Sequence, residues 1–334
     1  MNALPSLEAI DRALAKDPRD VGALIRKADH LAARGDLRAA SAYYLQAVKV
    51  AQSAPLSAEL QREVARARVA CDGLASQIER VIRERIAGNA APSTRRFAES
   101  LDLLFGHKQP YVQQPQYYYF PGLPQIQFYD RREFPWLDAV EAATPAIREE
   151  LEGVMRERDA FRPYVQSDPA RPRNAQAGMA DNPDWSAFYL VKDGTTIEAN
   201  AARCPRTLAA LSQVPLPRIG GRTPSVLFSL LRPGAHIPAH NGFINTRLIC
   251  HLPLVVPRGC SFRVGNDVRE WMEGRAWLFD DTIEHEAWNR SDSTRVVLLF
   301  DVWRPELTTD ERALVTAMFE ALDANGESGS RWHV

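Results

Sequence analysis

The stretch HIPAHNGFINTRLICHLPLVVP, residues 236–257, carries both patterns on which the fold reading turns. Its second half alternates: Arg247, Ile249 and His251 fall on one side, Leu248, Cys250 and Leu252 on the other. Successive strand side chains point to opposite faces, so the first three share one wall. The first half is bounded by Pro238 and Gly242 and reads as a loop that presents His240. Outward from here lie further short runs: DWSAFYLV (184–191), SVLFSLL (225–231), CSFRVG (260–265), AWLFDD (276–281) and STRVVLLFDVW (293–303). They are strand-like and punctuated by Gly, Pro, Asn and Asp. Short strands at this spacing predict a sandwich, jelly roll or barrel. A closing helix is expected over 309–325, with Thr309 as its N-cap.

Upstream the period changes. Residues 1–87 are rich in Ala, Leu, Arg and Glu, with apolar positions at helical spacing. Ile10 and Ala13 recur 34 residues later as Tyr44 and Ala47, and Ala28, Gly35, Asp36 and Ala40 complete a pattern similar to a tetratricopeptide (TPR) helix hairpin. A long helix from about Ala58 to Ile86 would cap the stack. Residues 88–135 are rich in Pro, Gln and aromatic residues and read as an extended segment packed on the following domain, because Pro110, Pro115, Pro121 and Pro124 exclude a regular helix. A helix is expected over 137–158, and residues 136–334 form the third region. The fold class is therefore α+β and multidomain, an N-terminal TPR-like helical region followed by a strand-rich domain.

Composition bounds the function. The 334 residues are 45% hydrophobic and 25% charged, with formal net charge −1, which suits a globular chain of about two domains. No global field favours nucleic acid or an anionic membrane. Cys71, Cys204, Cys250 and Cys260 form no CxxC pair and read as reduced thiols. No stretch approaches the ~20 apolar residues of a membrane span, and residues 1–20 lack a signal-peptide core. The expectation is a cytoplasmic protein without a membrane segment.

Four of the seven histidines fall between residues 236 and 285. Two imidazoles from neighbouring strands can serve one metal ion, and His240 and His285 are the candidates. Arg295 follows His285 by ten residues across the turn NRSDS. If that turn closes a hairpin, residues 285, 287, 295 and 297 share a face, and Arg295 points into the cavity of His285. An inward Arg among Val296, Val297, Leu298 and Leu299 needs a carboxylate partner, which a substrate could supply. On the strand of the opening stretch, Arg247 and His251 face the same way.

These residues sit in motifs that resemble the aspartyl/asparaginyl β-hydroxylase family. The matching pieces are HIPAHNGFINTRLICHLPLVVP, the pattern W..G....FDD...HEAWN (271–289) and RVVLLFDVWRPEL (295–307), with YFPGLP, FPWL and NAARCPRTLAALSQVPLP upstream. The resemblance spans about residues 117–320. It implies a double-stranded β-helix, a jelly roll that binds Fe(2+) and 2-oxoglutarate and uses O2 as co-substrate. By position it implies His240 and His285 as iron ligands, Ser229 and Arg295 on the distal carboxylate of 2-oxoglutarate, and His251 near its other carboxylate. The usual third ligand, a carboxylate two residues after the first His, is replaced by Gly242, as in the animal enzyme of the family. Ile249 stands where the family often has an Arg that helps with the cofactor or the substrate, and Arg247, one alternation away on the same face, is the candidate to take its place in cofactor binding. Asp280 and Asp281 are expected in a turn or as hydrogen-bond partners behind the ligands.

The leading expectation is β-hydroxylation of an Asp or Asn side chain of a peptide or protein, which the TPR-like region would recruit. The alternatives are the same chemistry on a small molecule or lipid acyl chain, and a non-catalytic TPR interaction protein.

Overall fold

The protein was analysed as a computed structural model that describes residues 6–53, 55–87, 95–157, 159–166 and 179–325. Two compact units divide the chain, Met1–Gln109 and Pro110–Val334.

The first unit contains α1 (Leu7–Lys16), α2 (Val21–Ala33), α3 (Leu37–Ala51), α4 (Ala58–Ala87) and α5 (Arg95–Leu104). Ser6, Asp20 and Asp36 cap the first three helices, each accepting from the backbone N–H three residues on. Ala28, Ala40 and Ala47 are fully buried beside Tyr44, so the small positions singled out in the sequence lie where helices meet. The Tyr44 hydroxyl donates to Asp29, which Arg66 of α4 grips with both terminal nitrogens.

One boundary is corrected here. Residues 95–104 form α5, although they were read as part of the extended segment. Arg83 pairs with Asp102 at 3.1 Å, so α4 holds this helix by charge, and Glu79 meets His107 just beyond it at 2.7 Å. Residues 88–94 of that segment lie outside the described residues. From Pro110 to Asp130 the chain is extended, as expected, and packs on the second unit. Gln114, Gln116 and Tyr117 donate backbone N–H groups to the carbonyls of Thr282, Gly242 and Phe243.

The second unit continues with α6 (Leu137–Ala142) and α7 (Thr144–Met155). A single helix was expected here; Pro145, in the first turn of α7, starts a new one instead. Then come β1 (Arg162–Pro163), β2 (Trp185–Lys192), β3 (Thr195–Thr196), α8 (Glu198–Ala201), α9 (Pro205–Ala210), β4 (Val226–Leu231), β5 (His236–His240), β6 (Arg247–Val255), β7 (Cys260–Val264), β8 (Asp267–Glu270), β9 (Trp277–Phe279), β10 (His285–Asn289), β11 (Arg295–Trp303) and α10 (Thr309–Asn325). One sheet runs β1-β2-β4-β11-β6-β9, with β3 on β2; the other runs β5-β10-β7-β8, all pairings antiparallel. From β4 to β11 the strands alternate between the sheets, except for the β7–β8 hairpin within one of them, which is the order of a double-stranded β-helix, so the jelly-roll expectation holds.

The alternation of β6 and β11 explains their burial on both sides. Leu248, Cys250, Leu252 and Leu254 with Val296, Leu298, Phe300 and Val302 face a core shared with α6 and α7. Arg247, Ile249 and His251, with Arg295, Leu299 and Asp301, face the space between the sheets. A buried Leu contributes about 1.5–3 kcal/mol, so four polar residues on two inner strand faces forgo several such contributions. That is the signature of a site rather than of a core.

Candidate active site

His240 ends β5 and His285 starts β10, directly opposite in the register, with ring centroids 4.1 Å apart. β5 was read as a loop; it is an edge strand, which is why it tolerates Pro238. Each ring is oriented by its own backbone. His240 Nδ1 donates to the Pro238 carbonyl at 2.8 Å, and His285 Nδ1 to the Ile283 carbonyl at 3.1 Å. A carbonyl can only accept, so Nδ1 carries the proton and the Nε2 lone pair is left for a metal. Burial lowers the pKa of His240 and holds His285 well below the ordinary range, keeping both neutral as ligation requires.

The extended segment fixes the two loops behind these histidines. Gln113 donates to the Asp280 carboxylate at 2.6 Å, and Asn241 donates to the Thr282 carbonyl at 2.8 Å. Arg304, fully buried, donates to Asp280 at 2.8 Å and to the Pro124 carbonyl at 2.9 Å. Asp280 therefore serves the loop before His285, the supporting role expected of it.

Asp281 faces the cavity. A Cβ built on Gly242 would overlap its carboxylate, so the place of a third protein ligand is taken by a side chain from another loop. Asp281 Oδ2 pairs with Arg247 Nη2 at 3.1 Å, and Arg247 Nη1 lies 3.2 Å from Asp301 Oδ1. Asp301 also accepts from the Ser225 backbone at 2.7 Å. Burial drives Asp281 up to about 7, against the pull of Arg247. Among the described residues no group of three or more His, Cys, Asp or Glu is placed to hold a metal. His240 and His285 thus offer two ligands, and a metal there would fill its other positions from solvent and small molecules.

The same cavity is lined by Arg295, Ser229 and His251. Arg295 is 2% exposed, and among the described residues its one hydrogen bond is weak, from Nη1 to the Ser229 carbonyl at 3.5 Å. Its guanidinium lies 4.8 Å from the Trp271 ring centre, Nε has no partner among the described residues, and burial pulls its pKa down to about 10. A buried cation in this state calls for an anion. Ser229 Oγ accepts from the Trp185 indole at 3.3 Å, and buried His251 has no partner at Nδ1 among the described residues. The hairpin premise is corrected: β10 and β11 lie in different sheets, so Arg295 and His285 reach one cavity from two sheets rather than along one ribbon.

All six residues proposed from sequence line one cavity of about 640 Å³: Ser229, His240, Arg247, His251, His285 and Arg295. His236 does not; it is exposed, 3.0 Å from Glu286. Sequence reading missed Asp301, whose inward direction followed from the alternation of β11. It also missed the aromatic wall of Trp185, Tyr164 and Tyr189, where Tyr164 and Trp185 stack at 4.1 Å.

Residues 141–305 match the sequence profile of the family described as Aspartyl/Asparaginyl beta-hydroxylase. The chain is 40% identical over 187 residues to the ornithine lipid ester-linked acyl 2-hydroxylase of Rhizobium tropici, covering 55% of this chain and 62% of that protein. It is 37% identical over 141 residues to aspartyl/asparaginyl beta-hydroxylase of Homo sapiens, 42% of this chain and 18% of that one. Against human aspartate beta-hydroxylase domain-containing protein 2 the identity is 29% over 216 residues, 64% of this chain and 57% of the relative. The chain thus spans less than two thirds of each. No helix among the described residues is long and apolar enough to cross a membrane.

Proposed function

Since the chain belongs to the aspartyl/asparaginyl β-hydroxylase family, we propose that it is an Fe(II)- and 2-oxoglutarate-dependent dioxygenase that hydroxylates a carbon next to a carbonyl. The observation that carries this reading is two neutral, Nδ1-anchored histidines sharing one cavity with a buried guanidinium that pairs with no carboxylate among the described residues. His240 and His285 would hold the metal. Arg295 and Ser229 would grip the distal carboxylate of 2-oxoglutarate, with His251 beside the other. When bound, iron with 2-oxoglutarate and O2 supplies oxidation of a C–H bond, with release of succinate and CO2. The chain's own part is to orient and to keep water out: Ile249, Phe279, Leu299 and Trp185 line the same cavity.

The first substrate reading is an Asp or Asn side chain of a polypeptide, with the helical first unit as the surface that recruits it. A second reading is an ester-linked acyl chain, favoured by the 40% identity to the acyl 2-hydroxylase and by apolar Ile249 at the site. The two share one chemistry, because Cβ of Asp or Asn and C2 of an acyl chain each adjoin a carbonyl carbon. Incubation with Fe(II), 2-oxoglutarate and O2, followed by mass analysis, tests the choice. One added oxygen on an Asp or Asn peptide supports the first reading; one on C2 of an acyl ester supports the second. No added oxygen on either class contradicts both.

A further inference from the structure

Arg247 is the cation nearest the histidine pair that the co-substrate reading leaves unused, and its surroundings define what it can bind. It is 8% exposed and lines the cavity. Two carboxylates flank it, Asp281 at 3.1 Å and Asp301 at 3.2 Å. With both ionised the trio is negative; with one protonated it is neutral. Neither state offers a net positive charge to a substrate carboxylate, and a third carboxylate would meet like charge inside a buried site. Yet the hydrogen-bonding capacity of Arg247 is not spent. Among the described residues its Nε and Nη1 are buried without a hydrogen-bond acceptor, since the Nη1 contact to Asp301 is an ion pair off the hydrogen-bonding line. The other cations of the cavity are accounted for: Arg222 pairs with Asp323, Lys192 lies over the Tyr189 ring at 5.2 Å, and Arg295 is taken by the co-substrate in the reading above.

We propose that Arg247 is the specificity-determining residue of this site and that it takes an uncharged carbonyl, an amide or an ester, in preference to a carboxylate. The geometry behind this is a guanidinium neutralised by two carboxylates with two donors still open. Buried donors left unsatisfied are costly, and a neutral carbonyl satisfies them without adding charge. Asp301 acts through Arg247 as a positioning residue: its own place is fixed by the Ser225 backbone, and it sets the charge the substrate meets. The proposal deepens the hydroxylase reading above and rests on it.

The test uses the full chain, loaded anaerobically with Fe(II) and 2-oxoglutarate, and follows the visible charge-transfer band of that complex as probes are added. The probes are two matched pairs: an Asn peptide against the Asp peptide of otherwise identical sequence, and methyl octanoate against octanoate. In any pair that binds, the neutral member is expected to perturb the band at least about tenfold more tightly. Which pair binds distinguishes a peptide source from an acyl source. Asp301→Asn leaves Arg247 with one carboxylate, so the neutral-over-anionic ratio should shrink by about tenfold, a change that mere loss of stability would not produce. Equal or tighter binding of the carboxylate members by the wild type overturns the proposal, as does binding of neither neutral member. A band that never forms would instead contradict the hydroxylase reading itself.

Discussion

Gly242 and Asp281 compete for one space: the Asp281 carboxylate lies where a side chain on residue 242 would begin, and the Gly242 backbone N–H donates to the Asp281 carbonyl at 2.6 Å. A side chain at residue 242 could form only if the Asp281 carboxylate, which Arg247 of β6 holds in place, moved away.

Gly242→Ala should therefore destabilise the second unit by about 1–3 kcal/mol, because the new methyl group must displace a buried, ion-paired carboxylate. In an Asp281→Ala background the same substitution should cost less, since the obstacle is gone. Urea unfolding of the two single variants and the double variant measures the coupling. A term above about 0.5 kcal/mol of compensating sign is expected, and simple additivity would argue against the shared space.

Asp281 also gives the metal-free protein a pH signature. Burial raises its carboxyl to about 7, whereas an unfolded Asp titrates near about 4. Between those values the folded state binds more protons than the unfolded one, so stability falls as pH rises through that window and is level above it. Asp301, raised by its own burial, contributes in the same direction. Asp281→Asn should flatten part of the decline. Denaturation midpoints of the metal-free protein from pH 4 to 8 report this, and a wild-type stability that climbs with pH across the window would refute the assignment.

How much of this was legible beforehand depends on sequence distance. Strand alternation gave the inward set of β6, and the histidine cluster gave the pair, because both are local patterns. Alternation could state that Arg247 points inward but not what it meets: Asp281 and Asp301 come 34 and 54 residues later and reach it only through the sheet pairing. Pro238 hid β5, since an edge strand tolerates Pro where a central strand would not. The helix α5 was hidden by its neighbourhood of Pro, Gln and aromatic residues, although Arg83 holds its end by charge. The resemblance to a family led to Ser229 and His251, which periodicity alone would have left as ordinary strand residues.

Arg295 carries a separate expectation. Its guanidinium is buried and pairs with no carboxylate among the described residues, so removing it relieves a cost rather than breaking a bond. Without ligand, Arg295→Met should unfold at a temperature equal to or above that of the wild type. With 2-oxoglutarate at about a hundred times its dissociation constant, the wild type should gain about 2.7 kcal/mol and the variant almost nothing. Thermal unfolding with and without the acid checks both halves.

The most direct measurement is the conversion of 2-oxoglutarate to succinate by the Fe(II)-supplied chain, compared with His285→Ala. The account predicts turnover that requires added iron and falls at least about a hundredfold in the variant, because one of only two protein ligands is lost. Equal turnover by the two proteins, or turnover indifferent to iron, would contradict it.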